Sequence, residues 1–138
     1  MSAKAAMIEA GRSGVYRAPA HIDALRKAAG NAALAWIELP LRAVTNKKQF
    51  LTVCATQLKL PSYFGHNWDA LADCVRDFNW WPSKGYVLHL VDHEKFVKAA
   101  ADDYQTALDV LAEAAEFWKS RGTPFVVLVD GAKGLRAF

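Results

Sequence analysis

The chain has 138 residues, of which 53% are hydrophobic and 22% charged, so it is long enough for one globular domain with a genuine core. No run of 18 or more apolar residues is present, which argues against a transmembrane helix, and charges at Glu9 and Arg12 argue against a signal peptide. Residues 1–50 carry eight Lys/Arg and three Asp/Glu, whereas residues 51–121 carry seven and ten. No basic stretch is interleaved with aromatic residues, so we do not expect nucleic-acid binding.

The apolar periodicity predicts strands that alternate with helices after a loosely held N-terminal segment. In chain order we expect a short edge strand over 13–17, a helix over 21–29, a strand over 34–39, a helix from Thr45 or Asn46 to about Leu58, a helix from Asn67 to about Phe78, a strand over 86–91, a short helix over 92–98, a long helix from Asp102 or Asp103 to about Trp118, and a strand over 125–129. Such alternation indicates an α/β fold with a small parallel sheet flanked by helices. Residues 131–138 are expected to be a mobile tail.

The stretch from Leu60 to Phe78 carries the densest local signals. Pro61 breaks any preceding helix because it lacks an N–H, and Gly65 permits a bend or a close backbone approach. Asn67 is a good N-cap, since its side-chain oxygen can accept from a free N–H of the first turn. These signals predict a loop that leads directly into a short helix.

The two faces of this helix differ in chemistry. Asp69, Asp73 and Asp77 are spaced i, i+4, i+8 and form an acidic line, and of the nearby cations only Arg76 is placed to relieve their repulsion. An apolar stripe on the other side can face a core, and it consists of Leu71, Cys74, Val75 and Phe78. The acidic line has two interpretations: a solvated helix face, or a surface that meets a cationic partner.

The residues of this stretch resemble the signature of the barstar family of small intracellular ribonuclease inhibitors. The matching positions are Leu60, Pro61, Tyr63, Phe64, Gly65, Asn67, Asp69, Ala70, Leu71, Asp73 and Cys74. The resemblance implies that the loop and helix plug a ribonuclease active site, and that Asp73 is the central acid that takes the place of an RNA phosphate. It implies binding positions at Tyr63, Gly65, Asn67, Asp69 and Asp73.

The chain also departs from this pattern. Ala72 stands where the family has a bulky aromatic, Phe78 stands where it has a later Trp, and Phe117 stands near the position of an expected acid, with Glu116 adjacent. Tyr63 is the best candidate for an exposed aromatic anchor. The full set of predicted partner-binding residues is Tyr63, Gly65, His66, Asn67, Asp69, Ala72, Asp73, Arg76, Asp77 and Phe78.

Several other chemistries are weaker interpretations of the same residues. Asp69 and Asp73 could act as a catalytic carboxylate pair on a small molecule, but catalytic pairs usually flank a cleft rather than a helix face. A metal site from His66, Asp69 and His93 lacks the tight spacing of zinc motifs. Cys74 lies on the predicted apolar face, so we expect it, like Cys54, to be a buried, reduced thiol.

The expected fold is therefore α/β and barstar-like, with a small three-stranded parallel sheet flanked by helices. We expect an N-terminal extension over 1–34, made of a short strand and a helix packed on the core, a barstar-like domain over 35–130 and a C-terminal tail over 131–138. The expected function is inhibition of a ribonuclease, either barnase-like or a related nuclease toxin. The alternatives are a small-molecule enzyme or an acidic protein-interaction module that uses Asp69 and Asp73. We expect a cytoplasmic protein that is a monomer when free and needs no cofactor or metal.

Overall fold

The computed structural model describes residues 8–138. Four strands and five α-helices follow a short 3-10 turn in this range. They are β1 (Gly14–Arg17), α1 (Ile22–Asn31), β2 (Ala35–Pro40), α2 (Lys47–Gln57), α3 (Trp68–Val75), β3 (Tyr86–Val91), α4 (Glu94–Ala99), α5 (Ala101–Ser120) and β4 (Phe125–Val129). The predicted bounds of β3 and β4 are confirmed, because continuous apolar runs of this length are typical of strands buried on both faces.

The sheet has four strands in the order β1-β4-β3-β2, and all of its pairs are parallel. The expectation of three strands is therefore wrong. The strand β1 pairs with β4 in the register Val15↔Val127, and the hydroxyl of Ser13 accepts from the N–H of Phe125 at 2.9 Å. A strand needs partners for its backbone groups, and β1 finds them at the edge of β4 that the rest of the chain leaves open.

Helices cover both faces of the sheet. One face buries the main core with α2, α3, α4 and α5, whose buried side chains include Phe50, Leu71, Phe96 and Leu111. The helix α1 covers the other face, where its Leu25 and Ala29 belong to a smaller apolar cluster with side chains of β1, β3 and β4. The acidic helix α3 thus lies on the main-core face of the sheet.

The C-terminal segment packs against β1, although the sequence predicts a mobile tail. The backbone N–H of Arg17 donates to the oxygen of Arg136 at 2.7 Å, and the rings of Tyr16 and Phe138 meet edge to face at 5.0 Å. The guanidinium of Arg12 lies 3.9 Å from the centroid of the Phe138 ring. Of the N-terminal segment that was expected to be loosely held, Ile8 is buried, while residues 1–7 lie outside the described part.

Candidate functional site

The helix α3 begins where the sequence predicts. Asn67 is its N-cap, and the side-chain oxygen of Asn67 accepts from the N–H of Ala70 at 2.8 Å. The preceding residue His66 has a positive φ of 51°, which is uncommon outside glycine and turns the chain sharply into the helix. The loop and the first helical turn therefore form one connected unit.

The helix α3 ends at Val75, three residues before the predicted end. Phe78 adopts a positive φ of 52° and its N–H donates to the oxygen of Cys74, which closes the last turn. Asp77 therefore lies beyond the helix, and the predicted i, i+4, i+8 line holds only for Asp69 and Asp73. Asp77 is exposed beside this pair rather than on the same helix face.

The core holds the inner face of α3. Leu71 and Val75 are fully buried, as the apolar stripe predicts. The indole N–H of Trp118 on α5 donates to the backbone oxygen of Val75 at 2.8 Å, and Trp68 lies 5.9 Å from the ring of Phe50 on α2. Because α3 is anchored on two sides, its outer face is presented in a fixed orientation. In the sequence, Trp118 fits the apolar periodicity of a long helix and carries no further signal. Its hydrogen bond with α3 therefore could not be predicted from the sequence.

The outer face of α3 carries the predicted acids. Asp69 is exposed, and 77% of the Asp73 side chain is accessible. The guanidinium of Arg76 donates to Asp73 at 3.0 Å and also to the oxygen of Ala72 at 3.1 Å. Arg76 therefore does relieve the repulsion, as predicted, but an exposed pair of this kind contributes little and is readily exchanged for another partner.

Phe78 does not lie on this surface. Its side chain is 1% exposed and stacks on the ring of Tyr86 with centroids 4.3 Å apart. A partner cannot reach it without opening the core, so the prediction that Phe78 contacts a partner is wrong for this structure. Phe78 stands where the family pattern has a Trp, whereas the apolar stripe of the same helix already indicated a core position for it.

The loop before α3 presents one large aromatic to solvent. Tyr63 is 72% exposed and is the sole exposed large hydrophobic side chain among residues 8–138. Its neighbour Phe64 is buried, and the backbone oxygen of Phe64 lies 3.2 Å from Nδ1 of His66. At Gly65 a Cβ atom would meet the side-chain nitrogen Nδ2 of Asn67 at 3.1 Å, so the loop is tight at this point. Tyr63 thus projects from a fixed base.

The neighbouring part of α5 differs from the acidic position that the family pattern predicts. Phe117 is half-buried, and the guanidinium of Arg121 lies 4.4 Å from the centroid of its ring. Glu116 beside it is exposed. This end of α5 therefore carries an aromatic–cation pair next to a single acid.

The described residues give little support to the other chemistries. Cys74 is 6% exposed, and its pKa is raised by burial and by the charges of Asp73 and Asp77, which disfavours a thiolate nucleophile. Residues 8–138 contain no group of three or more His, Cys, Asp or Glu that could hold a metal, so His66, Asp69 and His93 do not come together. Neither of two cavities, of about 480 and 270 Å³, is lined by Asp69 or Asp73, so neither cavity gives a substrate cleft to this carboxylate pair.

Comparisons with known proteins bear on the fold and the family. A family model described as Barstar (barnase inhibitor) matches residues 34–130, which is well over half of the chain. Among solved structures, the Aeropyrum Pernix ORC2 protein in its ADPNP–ADP complexes is similar with a TM-score of 0.61 and 17% identity, over 94% of this chain and 39% of that one. At this identity the likeness shows the fold alone, and our chain spans about two fifths of that protein. No curated protein matches.

Within the part of the chain that the structure describes, no helix combines the length and the apolar character needed to cross a bilayer.

Proposed function

We propose that this chain, which belongs to the barstar family, inhibits a ribonuclease by covering its basic active site with the loop and outer face of α3. The observation that carries the proposal is the exposed carboxylate pair of Asp69 and Asp73 on a helix anchored to the core, preceded by a loop that exposes the ring of Tyr63. A ribonuclease binds phosphates with Arg, Lys and His side chains. Carboxylates can accept charge-assisted hydrogen bonds from the same groups.

We infer different roles for the residues of this surface. Asp73 lies at its centre, one turn after Asp69, and exchanges its bond with Arg76 for one with the enzyme. Asp77 and Arg76 lie at the rim, where charges mainly affect the association rate. Tyr63 supplies apolar area, which exposed acids alone do not provide.

Preorganisation favours tight binding. Asn67 caps α3, Trp118 holds its last turn, and Gly65 keeps the loop tight, so little ordering is needed when the partner arrives. Binding then loses less conformational entropy than it would for a flexible acidic loop. His66 and Ala72 complete the contact surface as small or polar neighbours.

The partner is expected to differ from a generic barnase-like enzyme. The family pattern calls for an aromatic at Ala72 and an acid near Phe117, and this chain instead presents a methyl group and the Phe117–Arg121 pair. We therefore expect weaker binding to a barnase-like ribonuclease than to the cognate enzyme. Titrations against both enzymes measure the difference, and equal affinity for the two contradicts this part of the proposal.

Residues 35–130 carry the function, with 1–34 and 131–138 as additions to that unit. The chain acts as an immunity protein or antitoxin in the cytoplasm, where it neutralises a nuclease before the enzyme reaches cellular RNA. We expect no catalytic activity of its own.

Co-expression tests the proposal directly. The chain should protect cells that produce the ribonuclease encoded beside it, and a pull-down from the native cell should recover a ribonuclease. A variant with Asp69→Lys and Asp73→Lys should lose both effects, whereas a variant with Arg26→Glu and Lys27→Glu on α1 should keep them. Recovery of no ribonuclease, together with no protection against any neighbouring nuclease, overturns the proposal.

A further inference from the structure

A concave surface lies beside the N-terminal half of α2, whereas the inhibitory loop follows the C-terminal end of this helix along the chain. It is a cavity of about 480 Å³ between the end of β2 and the outer side of α2, and we name it the α2 groove. Apolar side chains supply half of its lining residues and polar or charged ones the rest: Pro40, Ala43, Val44 and Val53, with Asn46, Lys48, Gln49 and Thr52. The groove is large enough to receive an aromatic side chain.

Lys48 lines this groove, and Arg42 and Lys47 are sequence neighbours of other lining residues. Arg42, Lys47 and Lys48 are all exposed, and none of them forms an ion pair with a residue of the described range 8–138. The 30 residues between Glu38 and Asp69 contain four Lys/Arg and no Asp or Glu. The α2 groove is therefore an apolar hollow with an uncompensated positive rim.

The same molecule carries the complementary surface. Tyr63 is the exposed large hydrophobic side chain of the described residues, and the segment that follows it exposes Asp69 and Asp73 on α3 and Asp77 just after this helix. One surface is thus an aromatic projection with a negative border, and the other is an apolar hollow with a positive border. Opposite potentials of this kind attract, and an aromatic anchor in an apolar pocket is typical of an interface core.

We propose that the α2 groove is the docking site for the Tyr63 loop and α3 of a second copy of this chain. The contact joins two different surfaces, so it is of the head-to-tail type, which grows into larger assemblies unless the rotation closes a ring. It is weak and reversible, because its charges are exposed and are screened by salt. This departs from the monomer that the sequence alone predicts.

If the proposed function holds, self-association and ribonuclease binding use the same surface. The surface that meets the ribonuclease is occupied in the associated form, so the nuclease competes with the second copy. Self-association of the free chain can be measured in the absence of any nuclease, and so independently of the inhibitor assignment. Failure of the self-contact is therefore distinguishable from failure of the inhibitor assignment.

Sedimentation velocity of the whole chain over a range of concentrations tests the proposal. At low ionic strength the average mass should rise with concentration, and added salt should reverse the rise. Lys47→Glu with Lys48→Glu should weaken association by about tenfold or more. The matched control, Arg26→Glu with Lys27→Glu, makes the same charge change on two exposed residues of α1 and should leave association unchanged.

A mixing experiment makes the test specific. A chain with Lys47→Glu and Lys48→Glu keeps its acidic surface, and a chain with Asp69→Lys and Asp73→Lys keeps its groove. Each should associate more weakly alone than the unaltered chain, and the two should associate with each other when mixed, because each reversed surface then meets a surface of opposite charge. Tyr63→Ala, which changes no charge, should also weaken association of the otherwise unaltered chain.

Three results overturn the proposal. One is a monomeric chain at every concentration at low salt. Another is a mixture of the two charge-reversed chains that stays monomeric although circular dichroism shows both to be folded. The third is an α1 control that weakens association as much as the groove variant, which would mean that net charge alone governs it.

Discussion

The indole nitrogen of Trp118 lies 2.8 Å from the backbone oxygen of Val75, and this hydrogen bond joins the longest helix to the last residue of α3. The last four oxygens of a helix have no intrahelical partner, so a donor from a neighbouring helix satisfies one of them. Trp118 thereby fixes the end of α3 near Asp73. The orientation of the acidic surface depends on this contact between two helices.

Trp118→Phe should destabilise the protein and loosen α3. It removes the indole donor and leaves the oxygen of fully buried Val75 without its partner, which costs about 1–3 kcal/mol of unfolding free energy. Hydrogen exchange should rise at the amides of residues 71–75. Trp80→Phe is the matched control, because the Trp80 indole donates to the oxygen of Leu58 instead and its loss should leave α3 protected. Equal protection of α3 in both variants contradicts the prediction.

Asn67→Ala should weaken the start of α3. The variant loses the hydrogen bond that the N–H of Ala70 donates to the side-chain oxygen of Asn67. The loss of an N-cap side chain costs about 1 kcal/mol of unfolding free energy. Urea denaturation measures this change. Asn67→Asp should restore most of the stability, since aspartate is also a good N-cap and favours the positive end of the helix dipole. An aspartate variant as unstable as the alanine variant would exclude capping as the cause.

The stability of the protein should fall as the pH rises above about 9. Burial raises the pKa of the Cys54 thiol far above its ordinary value of 9.0, so the thiol ionises in the unfolded chain and stays protonated in the folded one. The unfolded state then binds fewer protons, and the unfolding free energy decreases by up to about 1.4 kcal/mol per pH unit for this group. Burial also raises the pKa of Tyr86 and Tyr104, but their ordinary value is 10.0, so they contribute at higher pH.

Cys54→Ala isolates this contribution. The variant should be less stable at neutral pH because it leaves a small cavity, yet its stability should fall less steeply just above pH 9 than that of the unaltered chain. Cys74 also has a raised pKa and remains in both proteins, so the slope does not vanish. Identical slopes for the two proteins would show that the Cys54 thiol does not titrate differently in the two states.

Much of the fold follows from local signals. The apolar runs over 86–91 and 125–129 predict β3 and β4, and Asn46 and Asn67 mark the starts of α2 and α3. The pairing of β1 with β4 could not be predicted in the same way, because it joins residues more than 100 positions apart and no local pattern encodes it. The packing of Phe138 on Tyr16 has the same non-local origin.

The candidate site shows the same division. The exposed acids, the cap at Asn67 and the exposed ring of Tyr63 agree with what the sequence predicts. The helix end at Val75 does not, because the positive φ of Phe78 and its stack on Tyr86 are set by packing against a distant strand. Periodicity extends a helix as far as its pattern allows, and only tertiary contacts show where it stops.

The central measurement is a pair of calorimetric titrations, in which the Asp73→Ala and Asp77→Ala variants are each titrated against the ribonuclease recovered from the native cell. The family resemblance implies a large loss of affinity for Asp73→Ala. The structure supports a larger loss for Asp73→Ala than for Asp77→Ala, because Asp73 lies on α3 and Asp77 lies beyond its end. We predict that Asp73→Ala costs about 2–5 kcal/mol of binding, that Asp77→Ala costs far less because a rim charge acts mainly on the association rate, and that neither lowers the melting temperature appreciably. Equal affinity losses, or a collapse of the melting temperature for Asp73→Ala, would contradict the account and place the inhibitory surface elsewhere.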